Sequence, residues 1–165
     1  MHFERVNLNY VIPLLEFEED NKHYFEQYIA PREDAFYSLE GLASHITELD
    51  HHAQRGRAHS LLLFDGHQII ARANLKNIIK QKAEIGYRVA MHATGRGVAS
   101  LCVSHLCFEA KSMKIKRLIA EVMDNNSASE RVLLNSGFSA QLCYLKKHYH
   151  AHQRRNSILY HKYLN

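Results

Sequence analysis

The stretch Thr94-Gly95-Arg96-Gly97-Val98-Ala99-Ser100 constrains this chain more than any other. It follows a strand-like run, Ala83-Glu84-Ile85-Gly86-Tyr87-Arg88-Val89, and opens a helix-like run over 98–113. Two glycines where a strand turns into a helix let the backbone come close to an anion. The first N–H groups of a helix have no intrahelical partner, and they point at such an anion with the helix dipole behind them. Gly97 carries no Cβ to stand in the way, and Arg96 adds positive charge. The loop therefore reads as a phosphate cradle, with a bare glycine-capped turn as the alternative. A Walker loop is excluded, because Val98-Ala99 follows Gly97 where Lys-Ser/Thr is required. The dinucleotide fingerprint is a weak match: Ser100 stands at the third glycine position, although Glu121 ends the next strand-like run.

Composition narrows the class. A chain of 165 residues, 46% hydrophobic and 23% charged, is expected to form a single globular domain over 1–165. The net charge of +4 is mild, so direct nucleic-acid binding is not expected. No apolar run reaches the roughly 18 residues of a membrane span, and no signal peptide is apparent. Cys102, Cys107 and Cys143 form no Cys-x-x-Cys pair, which suggests reduced thiols and a cytoplasmic setting.

Periodicity gives alternating elements without repeats. The pattern predicts a strand over 5–12 stopped by Pro13, then an amphipathic helix over 14–29. Ser38 is placed to N-cap a helix over 39–54. Asp65-Gly66 marks a hairpin between strands at 59–64 and 68–75. A turn at 77–81 leads into a strand over 83–91. Beyond the glycine loop come a helix to 113, a strand over 117–122, a helix over 127–135 and closing strands at 139–150 and 156–164. The acidic run Glu16, Glu18, Glu19, Asp20 reads as the solvent face of the first helix.

A second motif sits between strand and helix at Asp124-Asn125-Asn126-Ser127-Ala128-Ser129, followed by Asn135-Ser136-Gly137-Phe138. Asn126 or Ser127 would cap the helix. Gly137 would end it in the left-handed conformation, so that Phe138 folds back onto the core. The order of these pieces resembles the GNAT acetyltransferase superfamily, and within it the branch of bacterial ribosomal-protein N-terminal acetyltransferases. Glu84-Ile85-Gly86-Tyr87, Gly95-Arg96-Gly97-Val98-Ala99, Asn126-x-x-Ser129 and Gly137-Phe138 carry the resemblance. So does the stretch from Tyr28-Ile29-Ala30-Pro31-Arg32 to Phe36-Tyr37-Ser38, which is similar to the substrate-side segment of that branch.

The resemblance implies an α+β sandwich. Its mixed, mostly antiparallel sheet would have about seven strands, splayed between the fourth and fifth, with about four flanking helices. It implies acetyl-CoA as cosubstrate, no metal, and direct transfer of the acetyl group to a primary amine. The pantetheine arm would meet backbone near Val89 and Met91. The pyrophosphate would lie on Thr94, Gly95, Arg96, Gly97, Val98 and Ala99, and Asn126 would hydrogen-bond the pantetheine amides. A strand N–H near Val89 would polarise the thioester carbonyl. By the same resemblance Ser129 would stabilise the leaving thiolate. Two departures stand out: Thr94 replaces the usual Gln or Arg, and Leu133 occupies the position at which many relatives carry a tyrosine acid.

Glu84 and His148 are the candidate bases. At pH 7.5 roughly a third of an α-amine is already neutral, against about 0.1% of a lysine, so an N-terminal amine needs only a weak base. The expected acceptor is therefore the N-terminus of a protein or peptide. A small amine (polyamine, amino sugar or antibiotic) is the alternative, and an inactive acyl-CoA-binding module a third. The alternating His148, His150 and His152 have spacing compatible with a metal. Lys146, Lys147, Arg154 and Arg155 around them argue against one. A monomer or homodimer is expected.

Overall fold

The computed structural model describes the backbone of residues 1–150 and 153–165, and side chains outside 142–155. Seven strands form one sheet in the order β1-β2-β3-β4-β5-β7-β6. They are β1 (His2–Arg5), β2 (His59–Asp65), β3 (Gln68–Ile79), β4 (Lys82–Val89), β5 (Arg117–Met123), β6 (Ser139–His150) and β7 (Gln153–Tyr163). Every neighbouring pair is antiparallel except β4 and β5. A parallel pair needs a crossover, and α4 (Val98–Ser112) provides it. The other helices are α1 (Val11–Asp20), α2 (Lys22–Phe25), α3 (Leu39–Gln54) and α5 (Ser127–Asn135). Helix α1 packs on α3 and β3, whereas α4 packs on β3, β4 and α5. The sheet is thus covered on both faces, by α1 and α3 on one and by α4 and α5 on the other.

Between these layers Leu62, Leu63, Ile70, Leu75, Leu106, Leu118, Leu133 and Tyr160 are fully buried. Phe138 joins them because Gly137, at φ 80°, turns the chain back at the end of α5. The splayed, mostly antiparallel seven-stranded sheet agrees with the expected architecture.

Three local expectations are corrected. Residues 5–12 are not a strand. Strand β1 ends at Arg5, Asn7 caps a short 3-10 turn, and α1 begins at Val11. Pro13 lies in the first turn of α1, where a missing N–H forfeits no intrahelical bond. The helix over 14–29 is broken at Asn21. Its carboxamide donates back to the Phe17 carbonyl at 2.9 Å and accepts the Met91 N–H at 2.8 Å. The strand over 83–91 stops at Val89, and Met91–Ala93 forms a 3-10 turn.

Helix α3 begins where Ser38 accepts the N–H of Gly41 at 3.0 Å. The turn Asp34–Phe36 closes over this first helical turn, so that a Cβ on Gly41 would collide with the Ala35 carbonyl. Gly41→Ala is therefore expected to destabilise the fold by ~1–3 kcal/mol, despite alanine's better helix propensity. A lowered urea midpoint at unchanged m-value would report it. An unchanged midpoint would mean that the turn yields freely.

Candidate active site

The pairing of β4 with β5 is incomplete. Partners run from Lys82↔Arg117 to Ile85↔Ala120 and stop there. Both strands nevertheless continue, β4 held by β3 as far as Ala71↔Val89 and β5 by β7 as far as Met123↔Ser157. The Ala90 N–H bonds the Ile70 carbonyl at 2.9 Å, across β3. Amide directions alternate along a strand, so the Val89 and Tyr87 backbone groups point the other way, into the gap. The gap widens into a cleft of about 770 Å³, whose walls include Gly86–Val89 of β4 and Glu121–Met123 of β5.

At the end of this gap the chain turns through Gly95 (φ 73°) and Gly97 (φ 77°) into α4. Both glycines are left-handed, a conformation that a β-carbon penalises. Gly97 is the N-cap of α4 and offers no side-chain acceptor, so the first helical N–H groups are not capped from within. Gly95, Gly97, Val98, Ala99 and Ser100 line the cleft. An anion seated here would meet the uncapped end of a 15-residue helix.

Opposite, at the start of α5, the Asn126 side chain accepts the Ser129 backbone N–H at 3.0 Å and so caps the helix. The Ser129 hydroxyl lies 2.7 Å from the Tyr87 phenol. Burial pushes the Tyr87 pKa above its ordinary value, outweighing the hydrogen bond from Ser129, so the phenol is protonated at neutral pH. Two hydroxyls in contact use one proton between them, and the other is free to be donated into the cleft. The sheet interior thus presents free backbone groups, an uncapped helix end and a hydroxyl pair around one space.

An acetyltransferase (GNAT) domain model matches residues 11–139. The chain belongs to the GNAT acetyltransferase family. A probable N-acetyltransferase of Bacillus subtilis, YjcK, is 29% identical over 127 residues, 73% of this chain and 70% of the relative. Among solved structures, the ribosomal-protein-S5-alanine acetyltransferase of Vibrio fischeri superposes with a TM-score of 0.91 at 20% identity, covering 99% of this chain and 92% of that one. RimJ of Mycobacterium smegmatis in complex with CoA-disulfide gives 0.88 at 20% identity, covering 98% and 80%. This chain is an N-acetyltransferase with the GNAT fold.

Within this GNAT domain the residues singled out from sequence do not all meet. Val89, Thr94, Gly95, Gly97, Val98, Ala99, Asn126 and Ser129 line the one cleft. Arg96 lies outside its lining, in an exposed ion pair with Asp65 at 3.0 Å. The Met91 N–H is taken by Asn21, and its side chain lines a separate groove with Pro13, Glu16 and Asp20. Glu84 lines the cleft from the opposite sheet face to Tyr87, and its carboxylate stands 3.7 Å from Lys76. The His148 side chain lies outside those described, as do those of His150 and His152. Leu133, at the position of the missing tyrosine, is wholly buried. In the sequence Tyr87 stands only as part of a motif. Its role could not be read there, because its partner is 42 residues away.

The sheet face toward α1 and α3 holds a charged cluster that the sequence reading missed. Glu18 is 1% exposed, not on the solvent face. It accepts from Arg72 at 3.0 Å and from Arg88 at 2.7 Å. Its spacing from Leu14, Phe17 and Asn21 on one buried helical stripe was the available signal. Burial opposes its ionisation, but Arg88, Arg72 and Arg32 outweigh that and hold the carboxyl below its ordinary value. Arg72 also donates to Nε2 of His45 at 2.8 Å. An arginine cannot accept, so His45 is the neutral acceptor. Burial, then the fields of Arg72 and Arg32, push its pKa down to about 4.

This sets a pH dependence with a definite sign. Unfolded His45 binds a proton below about 6.5, but the folded residue does so only near 4. The unfolded state therefore holds more protons between these values. The stability His45 contributes is complete above about pH 6.5 and is lost progressively as pH falls toward 4. His59, whose pKa burial also lowers, acts in the same direction. The thermal midpoint is expected to fall over this window, and less steeply in His45→Gln. Parallel curves for the two proteins would refute the assignment.

Proposed function

We propose that this enzyme transfers the acetyl group of acetyl-CoA directly to the N-terminal amine of a protein or peptide. The observation that carries this reading is the gap between β4 and β5, with the uncapped N-terminus of α4 at its wide end and the Tyr87–Ser129 pair in its wall. Extended pantetheine has amides that can pair with the free strand groups, and pyrophosphate has the charge for the helix end. The solved relatives include a protein acetyltransferase named for an alanine of a ribosomal protein and one holding a CoA disulfide.

In the reaction the neutral amine attacks the thioester carbonyl. The C–N bond forms, the C–S bond breaks, and the amine loses one proton as the thiolate gains one. The Val89 N–H is the donor for the developing oxyanion. Ser129, proton-coupled to Tyr87, donates to the departing sulfur. The Ser129 hydroxyl already meets the Tyr87 phenol at 2.7 Å, so it is held ready instead of being ordered in the transition state. Glu84, on the other face of β4, takes the amine proton directly or through water. An α-amine needs no stronger base, because a large fraction of it is neutral near pH 7.5.

Ser129→Ala and Tyr87→Phe are each expected to lower kcat by roughly 10- to 100-fold with a small change in the KM for acetyl-CoA. The double variant should lose little more than either alone, because the two hydroxyls act as one donor. Release of CoA thiol and mass spectrometry of the acceptor give the readout. Additive losses would separate the two residues, and unchanged kcat would remove Ser129 from the chemistry.

Gly97→Asp is expected to raise the Kd for CoA at least about tenfold, because it sets a carboxylate on the helix end that should bind phosphate. Calorimetry with CoA and with dephosphorylated pantetheine separates the contributions. Pantetheine should be affected far less, and an equal loss for both would point to a fold defect. Acceptor identity is tested by comparing peptides, polyamines and aminoglycosides; preference for either of the latter classes would replace the N-terminal reading.

A further inference from the structure

The acceptor side of the cleft is more cationic than folding requires. Arg72 and Arg88 are register partners on β3 and β4, so their side chains share the face toward α1 and α3. Arg32, from the segment before α3, reaches the same space with its guanidinium 4.1 Å over the Phe36 ring. All three line the cleft, and the carboxylate they share, Glu18, lies behind them and not in its wall. Glu26, at the end of α2, acts on Lys22 and Tyr37. His45 is neutral, Tyr37 is a further neighbour of Arg32, and Glu84, which shares the sheet face of Gly86 and Arg88, stands 3.7 Å from Lys76. Burial and Arg88 lower even the Arg32 guanidinium, to about 10.

Two donors here are unused. Among the described residues, Nε of Arg32 and Nε of Arg72 are buried without a hydrogen-bond partner, and Arg72 is only 3% exposed. Beside them the buried Oδ1 of Asn74 lacks a donor. Buried polar groups are nearly always paired, so unpaired ones lining a cavity mark what its occupant supplies. Two guanidinium N–H groups call for an anion. A carboxamide oxygen calls for an N–H. The floor between them is open, because Gly86, the register partner of Asn74, has no side chain and an added Cβ there would touch nothing within 4 Å.

We propose that the groove formed by Arg32, Arg72, Arg88 and Asn74 binds a carboxylate of the acceptor, which makes the preferred substrate a peptide with Asp or Glu at its first or second position. The carboxylate faces the arginines, and a peptide N–H near the amino terminus faces Asn74. Arg88 immediately precedes Val89, so the anion site lies within one arginine side chain of the strand position at which transfer is assigned. This rests on the acetyltransferase reading above and adds the substrate class to it. Cationic amines are disfavoured by the same charges.

The test compares kcat/KM, with acetyl-CoA saturating, for matched short peptides beginning with Asp, Glu, Ser, Ala or Lys, for the same set varied at position two, and for free aspartate and spermidine. The acidic peptides should exceed the Ser and Ala peptides at least about tenfold, the span of a charge-assisted hydrogen bond. Arg32→Gln should collapse that ratio toward one, and Arg32→Lys should retain most of it. Asn74→Leu, which alters no charge, should lower kcat/KM for the acidic peptide; it keeps the proposal testable if Arg32→Gln does not fold by its thermal midpoint. Equal use of acidic and neutral peptides overturns the proposal while leaving the acetyltransferase reading intact. So does a ratio insensitive to Arg32, and so does a preference for free aspartate or spermidine over the acidic peptides. Release of no CoA thiol with any acceptor overturns both.

Discussion

The hydrogen bonds that β4 and β5 do not make beyond Ile85 and Ala120 are the constraint on which the rest of this structure depends. An unpaired strand edge inside a sheet is costly, since each buried N–H or C=O without a partner forfeits about 1–3 kcal/mol. Here the cost is contained. Strand β4 remains anchored to β3, and β5 to β7, along the whole of the separated length. The twist between the two anchored halves opens a gap, and the chain leaves β4 at its wide end. The glycine loop follows at once, so the N-terminus of α4 points into the same opening. Free strand groups and a free helix end thus come together through connectivity alone.

The same split explains why the charged cluster is tolerable. Burying a carboxylate and several guanidiniums normally costs more than their mutual attraction returns. Glu18 meets Arg72 and Arg88 in direct hydrogen bonds, which offsets much of that cost, and Arg72 finds a further acceptor in His45. What is not offset is the unused N–H of Arg72 and that of Arg32. A cluster selected only for stability would be expected to pair these or to replace them with apolar groups. Both arginines line the cleft, so the demands of the core alone do not account for this part of the fold.

The sequence was most legible where local rules suffice. Helices α3 and α5 begin at residues whose side chains cap them, Ser38 and Asn126, and the Asp65-Gly66 hairpin falls between two nearly continuous buried runs. The cleft-lining residues of the glycine loop and of Asn-x-x-Ser were legible for a similar reason, because both are short motifs. Reading failed where tertiary contacts decide. Asn21 breaks the first helical region because it bonds Met91, 70 residues away. Glu18 sits in an acidic run whose other members, Glu16, Glu19 and Asp20, are exposed. Only its place on the apolar stripe distinguished it, and its arginine partners are 54 and 70 residues away. Tyr87 likewise acquires meaning only when α5 brings Ser129 against it.

Strand alternation then divides the labour of the site. Tyr87 and Arg88 are adjacent in sequence, yet a strand sends them to opposite faces of the sheet. Tyr87 joins the α5 side, where it meets the Ser129 hydroxyl; Arg88 joins the α1 side, where it meets the Glu18 carboxylate. Between them the backbone of β4 is the common wall, and Val89 turns its N–H into the gap. In the proposed reaction, leaving group and nucleophile would therefore be met on opposite faces of the strand, each by a different chemistry. A helix could not do this, because adjacent residues there lie about 100° apart and not on opposed faces. A split strand, in place of a helix, lets one short segment present a hydroxyl pair on one face and a guanidinium cluster on the other.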